Sequence, residues 1–190
     1  VLIGSRYFAD HLPPDYHPMF AVLWDMIGGR NQRIYQEANS LDGAPEVVER
    51  VWRTAEDLGL QRMLSPLNGG YITDDHVPLL QKGIRAIDVI GFENYREWHH
   101  TSQDTVDKVS EQTLNDVGRL ALALLRKLQP IRDLLRGGTW TTEPLIKPVR
   151  RLSELTFGII GIGRIGTAVA HRARPFFKQI IGCDPYILNE

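Results

Sequence analysis

Short, nearly unbroken apolar runs alternate along this chain with stretches of helical periodicity, the pattern of an α/β protein. Phe20-Ala21-Val22-Leu23-Trp24-Asp25-Met26-Ile27 is such a run, closed by Gly28-Gly29, and predicts a buried strand. A charge inside it would be costly if buried unpaired. Asp25 is therefore expected at the strand's C-terminal edge, where open α/β sheets hold ligands. Ile84 to Ile90, after Gly83, predicts a second buried strand; Leu155–Ile160 and Gln179–Cys183 predict two more. Val1–Gly4 reads as the end of a further strand, with Ser5–Ala9 opening a helix.

Helical spacing is clearest behind Pro45, where Val47, Val48, Val51, Trp52, Ala55 and Leu58 recur before a stop at Gly59. Asp42 and Glu46 suit the positive end of a helix, and Trp52 is expected in the core. Asn68-Gly69-Gly70 predicts a turn into the acidic loop at Asp74. Ser110 is expected to cap a helix with Leu114, Val117, Leu120, Ala121, Leu124 and Leu128 on one face. From Pro130 onward Gly137-Gly138, Pro144 and Pro148 predict a loop-rich stretch carrying the basic cluster Lys147, Arg150 and Arg151.

Composition narrows the picture modestly. The 190 residues are 43% hydrophobic and 24% charged, which are globular values. A net charge of −1 gives no electrostatic reason to expect nucleic acid or an anionic membrane as partner. No apolar run approaches the roughly 20 residues needed to span a bilayer. Cys183 is the single cysteine, which excludes an internal disulfide framework. The chain starts at Val1 rather than Met and is expected to be a fragment or a processed product.

Chemistry concentrates between residues 73 and 105. Asp74, Asp75, His76 and Asp88 lie before or within the second strand, and Trp98, His99, His100 and Asp104 lie beyond it. Carboxylates and imidazoles gathered in this way are ligands for first-row metals, zinc above all; a solvated polar loop has the same composition.

The strings Asp74-Asp75-His76-Val77-Pro78-Leu79-Leu80 and Trp98-His99-His100-Thr101, with Asp104-Thr105 after them, resemble the zinc aminopeptidase and glutaminyl cyclase superfamily. The resemblance covers roughly residues 1–125, the C-terminal half of such an enzyme, and implies peptide or N-terminal glutamine substrates. It makes Asp25 a metal ligand in the two-zinc aminopeptidases and a catalytic acid in the one-zinc cyclases. Asp74 falls on the acid of a proton relay, and His100 on the metal-ligating His. An aromatic residue usually precedes that His; here His99 intervenes, so a slip of one residue would make His99 the ligand. His76 is expected to hydrogen-bond within its loop, and Asp104 and Asp107 to serve the loop and helix cap. The family's His-x-Asp and paired-acid motifs would lie upstream of Val1, so zinc is expected to bind weakly or not at all.

A second constellation closes the chain. Strand Leu155–Ile160 runs into Gly161-Ile162-Gly163-Arg164-Ile165-Gly166, a helix follows, and Asp184 ends the next strand eighteen residues past the last glycine. A lone GxGxxG is weak; with this strand–helix–strand context it is a dinucleotide fingerprint, with Asp184 as ribose acceptor favouring NAD over NADP. Together with Gly138-Thr139-Trp140 and Asp184-Pro185-Tyr186 the segment resembles the D-2-hydroxyacid dehydrogenases over roughly residues 120–190. The resemblance stops after one βαβ unit, before that family's catalytic Arg, Glu and His, and Phe177 replaces its usual Gly. NAD is therefore expected to bind weakly or not at all.

The expected architecture is a truncated zinc-aminopeptidase-like α/β sheet (1–128), a linker (129–155) and a partial Rossmann βαβ unit (156–190). The two resemblances meet at Ala121–Leu128, which suits the closing helix of either family. Three functions stay open: a zinc aminopeptidase or glutaminyl cyclase fragment, an NAD-binding oxidoreductase fragment, and a chimera without activity of its own. The hydrolase family is often exported and the dehydrogenase family cytoplasmic, so the compartment stays open too.

Overall fold

The computed structural model describes residues 2–139, 151–160 and 162–183. The chain forms two compact units, Val1–Trp140 and Thr141–Glu190.

In the first unit, β1 (Ala21–Asp25) pairs in parallel with β4 (Ala86–Ile90), with Leu23 opposite Asp88 and Asp25 opposite Ile90. A second parallel pair joins β2 (Ile34–Gln36) to β3 (Leu64–Asn68), with an irregular register. Every residue of β4 is buried, whereas those of β1 are half-buried. Against these strands pack α3 (Pro45–Asp57) and α5 (Glu111–Leu125), whose Val48, Val51 and Leu120 meet Ile34, Ile87 and Val89 in the core. Pro45 stands at the first position of α3, and Gly59 takes a left-handed φ of 77° just past its end, as the stop signal predicts. Trp52 is buried and donates its indole N–H to the Ser65 carbonyl at 2.7 Å.

Short helices complete the unit: α1 (Ile3–Asp10), α2 (Ala38–Gly43), α4 (His76–Gln81) and α6 (Leu128–Arg136), with 3-10 turns at Phe92–Tyr95 and Val106–Lys108. Three sequence expectations are corrected here. Residues 3 and 4 belong to α1, not to a strand; Ile3 is 78% exposed, so its apolar side chain is not held in a sheet. The helix capped by Ser110 ends at Leu125, because Lys127 takes a left-handed φ of 51°, and Leu128 opens the next helix. Pro130 lies in the first turn of α6, where a missing N–H costs nothing, rather than in a loop.

The second unit is a β–α–β element. β5 (Thr156–Ile160) and β6 (Gln179–Cys183) are parallel, Thr156 facing Gln179 and Ile160 facing Cys183, with α7 (Arg164–Ala173) between them. The Phe157 and Phe177 rings lie 4.8 Å apart, so the residue standing in place of glycine packs on the strand.

Candidate functional site at the strand ends

Parallel pairing sends the chain out of β1 and β4 at the same edge of their sheet. Asp25, the last residue of β1, therefore sits beside the segment that leaves β4 and leads through Phe92–Tyr95 to His99 and His100. The Asp25 Oδ1 accepts the Met26 N–H at 2.9 Å. Burial raises the Asp25 carboxyl above its ordinary range, and the neighbouring Asp74 carboxyl raises it further. The His99 imidazole works in the opposite direction and favours the ionised form.

The two histidines differ in setting. His99 is half-buried, its backbone N–H donating to the Tyr95 carbonyl at 2.8 Å and its ring edge-on to Phe92. His100 is exposed, with its ring 3.8 Å from that of His99. Met26 and His100 both have left-handed backbones, φ 47° and 60°. Non-glycine residues avoid that region, and the strain is stored where tertiary contacts over-determine it, often at functional sites. One strained residue adjoins Asp25 and the other is His100 itself.

Asp74 lies in the loop before α4, where its Oδ1 accepts the Asp75 N–H at 2.7 Å; Asp75 in turn accepts the Ser5 hydroxyl at 2.7 Å. The Asp107 carboxyl is exposed and held at about 2 by Lys108 and Thr105, and Ser110 accepts the Thr113 N–H at the start of α5, consistent with local roles.

Behind this edge is a buried polar cluster that the sequence reading did not identify. His76 was expected to bond within its own loop, but it is wholly buried at the first turn of α4 and reaches Glu37 instead, Nε2 to Oε2 at 3.0 Å. Glu37 caps α2, accepting N–H groups from Asn39 and Ser40, the Ser40 hydroxyl, and the Ile72 N–H across the chain. Burial alone would raise its carboxyl, but His76 and these donors outweigh it and hold Glu37 at about 2. On the other side of the ring, Nδ1 lies 3.7 Å from Asp88 Oδ2, too long for a hydrogen bond. Both Asp88 oxygens lack a hydrogen-bond partner, and burial together with Asp74, Asp25 and Glu37 pushes this carboxyl up to about 8. Its surroundings thus favour the neutral acid over the carboxylate. Glutamate is an uncommon helix cap, which is why Gln36-Glu37-Ala38 carried no signal; its only trace was an acid where a strand gives way to a helix.

Among the described residues no group of three or more His, Cys, Asp or Glu side chains could hold a metal ion. A catalytic zinc site takes three donors from the protein, and the described residues do not fit a whole site.

In the second unit, Gly163 precedes α7 and Gly166 lies in its first turn, so the glycine turn opens a helix directly after a strand. Gly161 and Asp184 fall outside the described residues, as do the side chains of Arg164 and Ile165.

Comparison with known proteins also divides the chain in two, though earlier along it than the two units do. Residues 119–190 match the NAD binding domain of the D-isomer specific 2-hydroxyacid dehydrogenases, and 37% identity over 76 residues links them to human glyoxylate reductase/hydroxypyruvate reductase, covering 40% of this chain and 23% of that protein. The other part is 32% identical over 130 residues to aminopeptidase YwaD of Bacillus subtilis, covering 64% of this chain and 28% of the relative. The crystal structure of Porphyromonas gingivalis glutaminyl cyclase superposes with a TM-score of 0.61 at 31% identity, over 67% of this chain and 46% of the cyclase. The chain thus spans less than half the length of each. The two family matches overlap at 119–125, the last turns of α5, which places the join inside one helix. Residues 1–125 match the family model for peptidase family M28, and with two thirds of its length so matched the chain belongs to that family, joined to part of a dehydrogenase NAD-binding domain.

Proposed function

We propose that residues 1–128 are the C-terminal portion of a zinc-dependent aminopeptidase or glutaminyl cyclase site, followed by a linker (129–155) and a partial NAD-binding segment (156–190). In this reading Asp25 and His100 are metal donors, with His99 the alternative imidazole, and Asp74 exchanges a proton with Asp25. The supporting observation is the shared edge of β1 and β4, which sets Asp25 beside the histidine segment with Asp74 against it. The raised Asp25 carboxyl suits a group that holds and releases a proton. The substrate class is a peptide or an N-terminal glutamine.

The 190-residue chain alone is proposed to be inactive, since two donors do not make a catalytic zinc site. Calorimetric titration of the purified chain with Zn is expected to show no submicromolar site, and aminoacyl and glutaminyl substrates are expected to remain unconverted. A submicromolar site abolished by His100→Ala, or turnover abolished by Asp25→Asn, would overturn the inactive reading while supporting the residue roles. A second reading, an NAD-binding fragment, rests on the glycine turn between β5 and α7.

A further inference from the structure

Gln32 is 4% exposed and belongs to no helix or strand, yet its amide joins the two loops that leave β1 and β4. Its Oε1 accepts the Gly29 N–H at 2.7 Å, and its Nε2 donates to the Gly91 carbonyl at 3.0 Å. The fit is close enough to dictate the residues opposite. A Cβ on Gly29 would stand 2.4 Å from Gln32 Oε1. On Gly91 it would stand 1.6 Å from Gln32 Nε2 and 2.4 Å from the Met26 carbonyl. Both glycines therefore make room for this amide. Met26, held in its left-handed conformation, rests on the same spot.

The junction extends to a third segment. The Thr113 hydroxyl donates to the Gly29 carbonyl at 3.0 Å, the Ser110 N–H to the Gly28 carbonyl at 2.7 Å, and the Gly91 N–H to the Asp25 carbonyl at 3.2 Å. The loop that starts at Asp25 is thus fastened on one side to the start of α5 and on the other to Gly91, from which the chain runs to His99 and His100.

We propose that Gln32 is a positioning residue, the clamp that sets the Asp25 carboxylate against the histidine segment and keeps Met26 in its strained conformation. Calling those groups functional rests on the reading above; the clamp itself does not. An amide is suited to this task because it donates and accepts at once and is indifferent to pH. Glutamate in its place could still accept from Gly29 but, ionised, could donate nothing to Gly91.

That asymmetry gives the test: residue-resolved amide hydrogen exchange and backbone carbonyl 13C shifts on the full chain, as the parent, Gln32→Glu and Gln32→Ala. Loss of its buried acceptor is expected to speed exchange of the Gly29 amide by roughly 10–100-fold. Loss of the donor is read at the Gly91 carbonyl resonance, since the Gly91 N–H bonds elsewhere, to the Asp25 carbonyl. In Gln32→Ala the Gly29 amide should accelerate and the Gly91 carbonyl should shift. In Gln32→Glu the Gly91 carbonyl should shift while the Gly29 amide stays protected. The Ile87 and Val89 amides should keep parent rates in both. Uniform acceleration in both variants would reduce Gln32 to general packing and overturn the proposal, as would an unchanged Gly91 carbonyl. If Gln32→Ala does not fold, the split between the Gly29 amide and the Gly91 carbonyl in Gln32→Glu decides alone. None of these readouts involves zinc or turnover, so they stand or fall separately from the enzymatic reading.

Discussion

His76 Nε2 meets Glu37 Oε2 at 3.0 Å with both side chains wholly buried, and this bond ties the start of α4 to the start of α2. The Asp74 loop immediately precedes α4, so the position of a candidate proton carrier depends on a contact well away from solvent.

Glu37→Ala should therefore be severe. It would strand His76, the Ile72 N–H and the amides of Asn39 and Ser40 without their acceptor. Leaving such buried donors without their acceptor costs about 1–3 kcal/mol each. Urea unfolding at pH 7 should show a loss of that order, and a loss under about 1 kcal/mol would mean that water takes over the role. The pH dependence follows in sign. Glu37 is depressed from 4.5 to about 2, so its contribution is present above pH 4.5 and disappears as pH falls toward 2.

Asp88 behaves in the opposite way. Its carboxyl is raised from 3.8 to about 8, so its contribution is full below pH 3.8 and is lost as pH rises through 8. Asn at this position has nearly the same shape and stays neutral at every pH. Asp88→Asn should match the parent near pH 4 and gain on it as pH rises, by at most about 1.4 kcal/mol per pH unit. Urea midpoints at pH 5, 7 and 8.5 measure the divergence. A constant deficit at every pH would instead identify Asp88 as an ionised partner of His76.

How legible this chain was depends on what each residue's position rests on. Asp25 was placed at its strand end by elimination, because a lone acid in an apolar run has few affordable positions. Pro45, Gly59 and Ser110 act locally, and each was found where its backbone chemistry requires it. Glu37 and Gln32 were missed because they act across the fold: Gln32 reaches Gly91 and Glu37 reaches His76, contacts that no local periodicity encodes. Residues 3 and 4 were misread because four apolar or small residues suit a strand end and a helix start alike, and only packing decides between them.

NAD should bind poorly to the chain even though its glycine turn opens a helix. By the dehydrogenase resemblance, Gly161, Gly163 and Gly166 would address the pyrophosphate and Asp184 one ribose. The described strands of this unit are β5 and β6 alone, and such a pair offers little surface against which to bury a nicotinamide. NADH fluorescence titration is expected to give no saturable enhancement at micromolar cofactor. Saturation in that range, lost in Gly163→Val, would show that the turn suffices by itself.

The last prediction concerns the stability of the two units, each taken by itself. The first packs its parallel strands, α3 and α5 around the fully buried Ile34, Val51, Ile87 and Leu120. The second, among its described residues, has one helix over two strands, with Ile181 in the middle of β6 still 53% exposed. Burial of apolar surface contributes about 25 cal/mol per Å², so protection from exchange should follow this difference. Amide exchange of the whole chain at neutral pH should be slow in Ala21–Asp25 and slower still in Ala86–Ile90, whose side chains are all buried. Thr156–Ile160 and Gln179–Cys183 should exchange faster by at least an order of magnitude. Such a split, with two unfolding transitions rather than one, is what a join of two families within α5 implies. Equal protection in both units, lost together in a single transition, would show instead that the two parts stabilise each other as one evolved fold, and the chimeric reading would have to be abandoned.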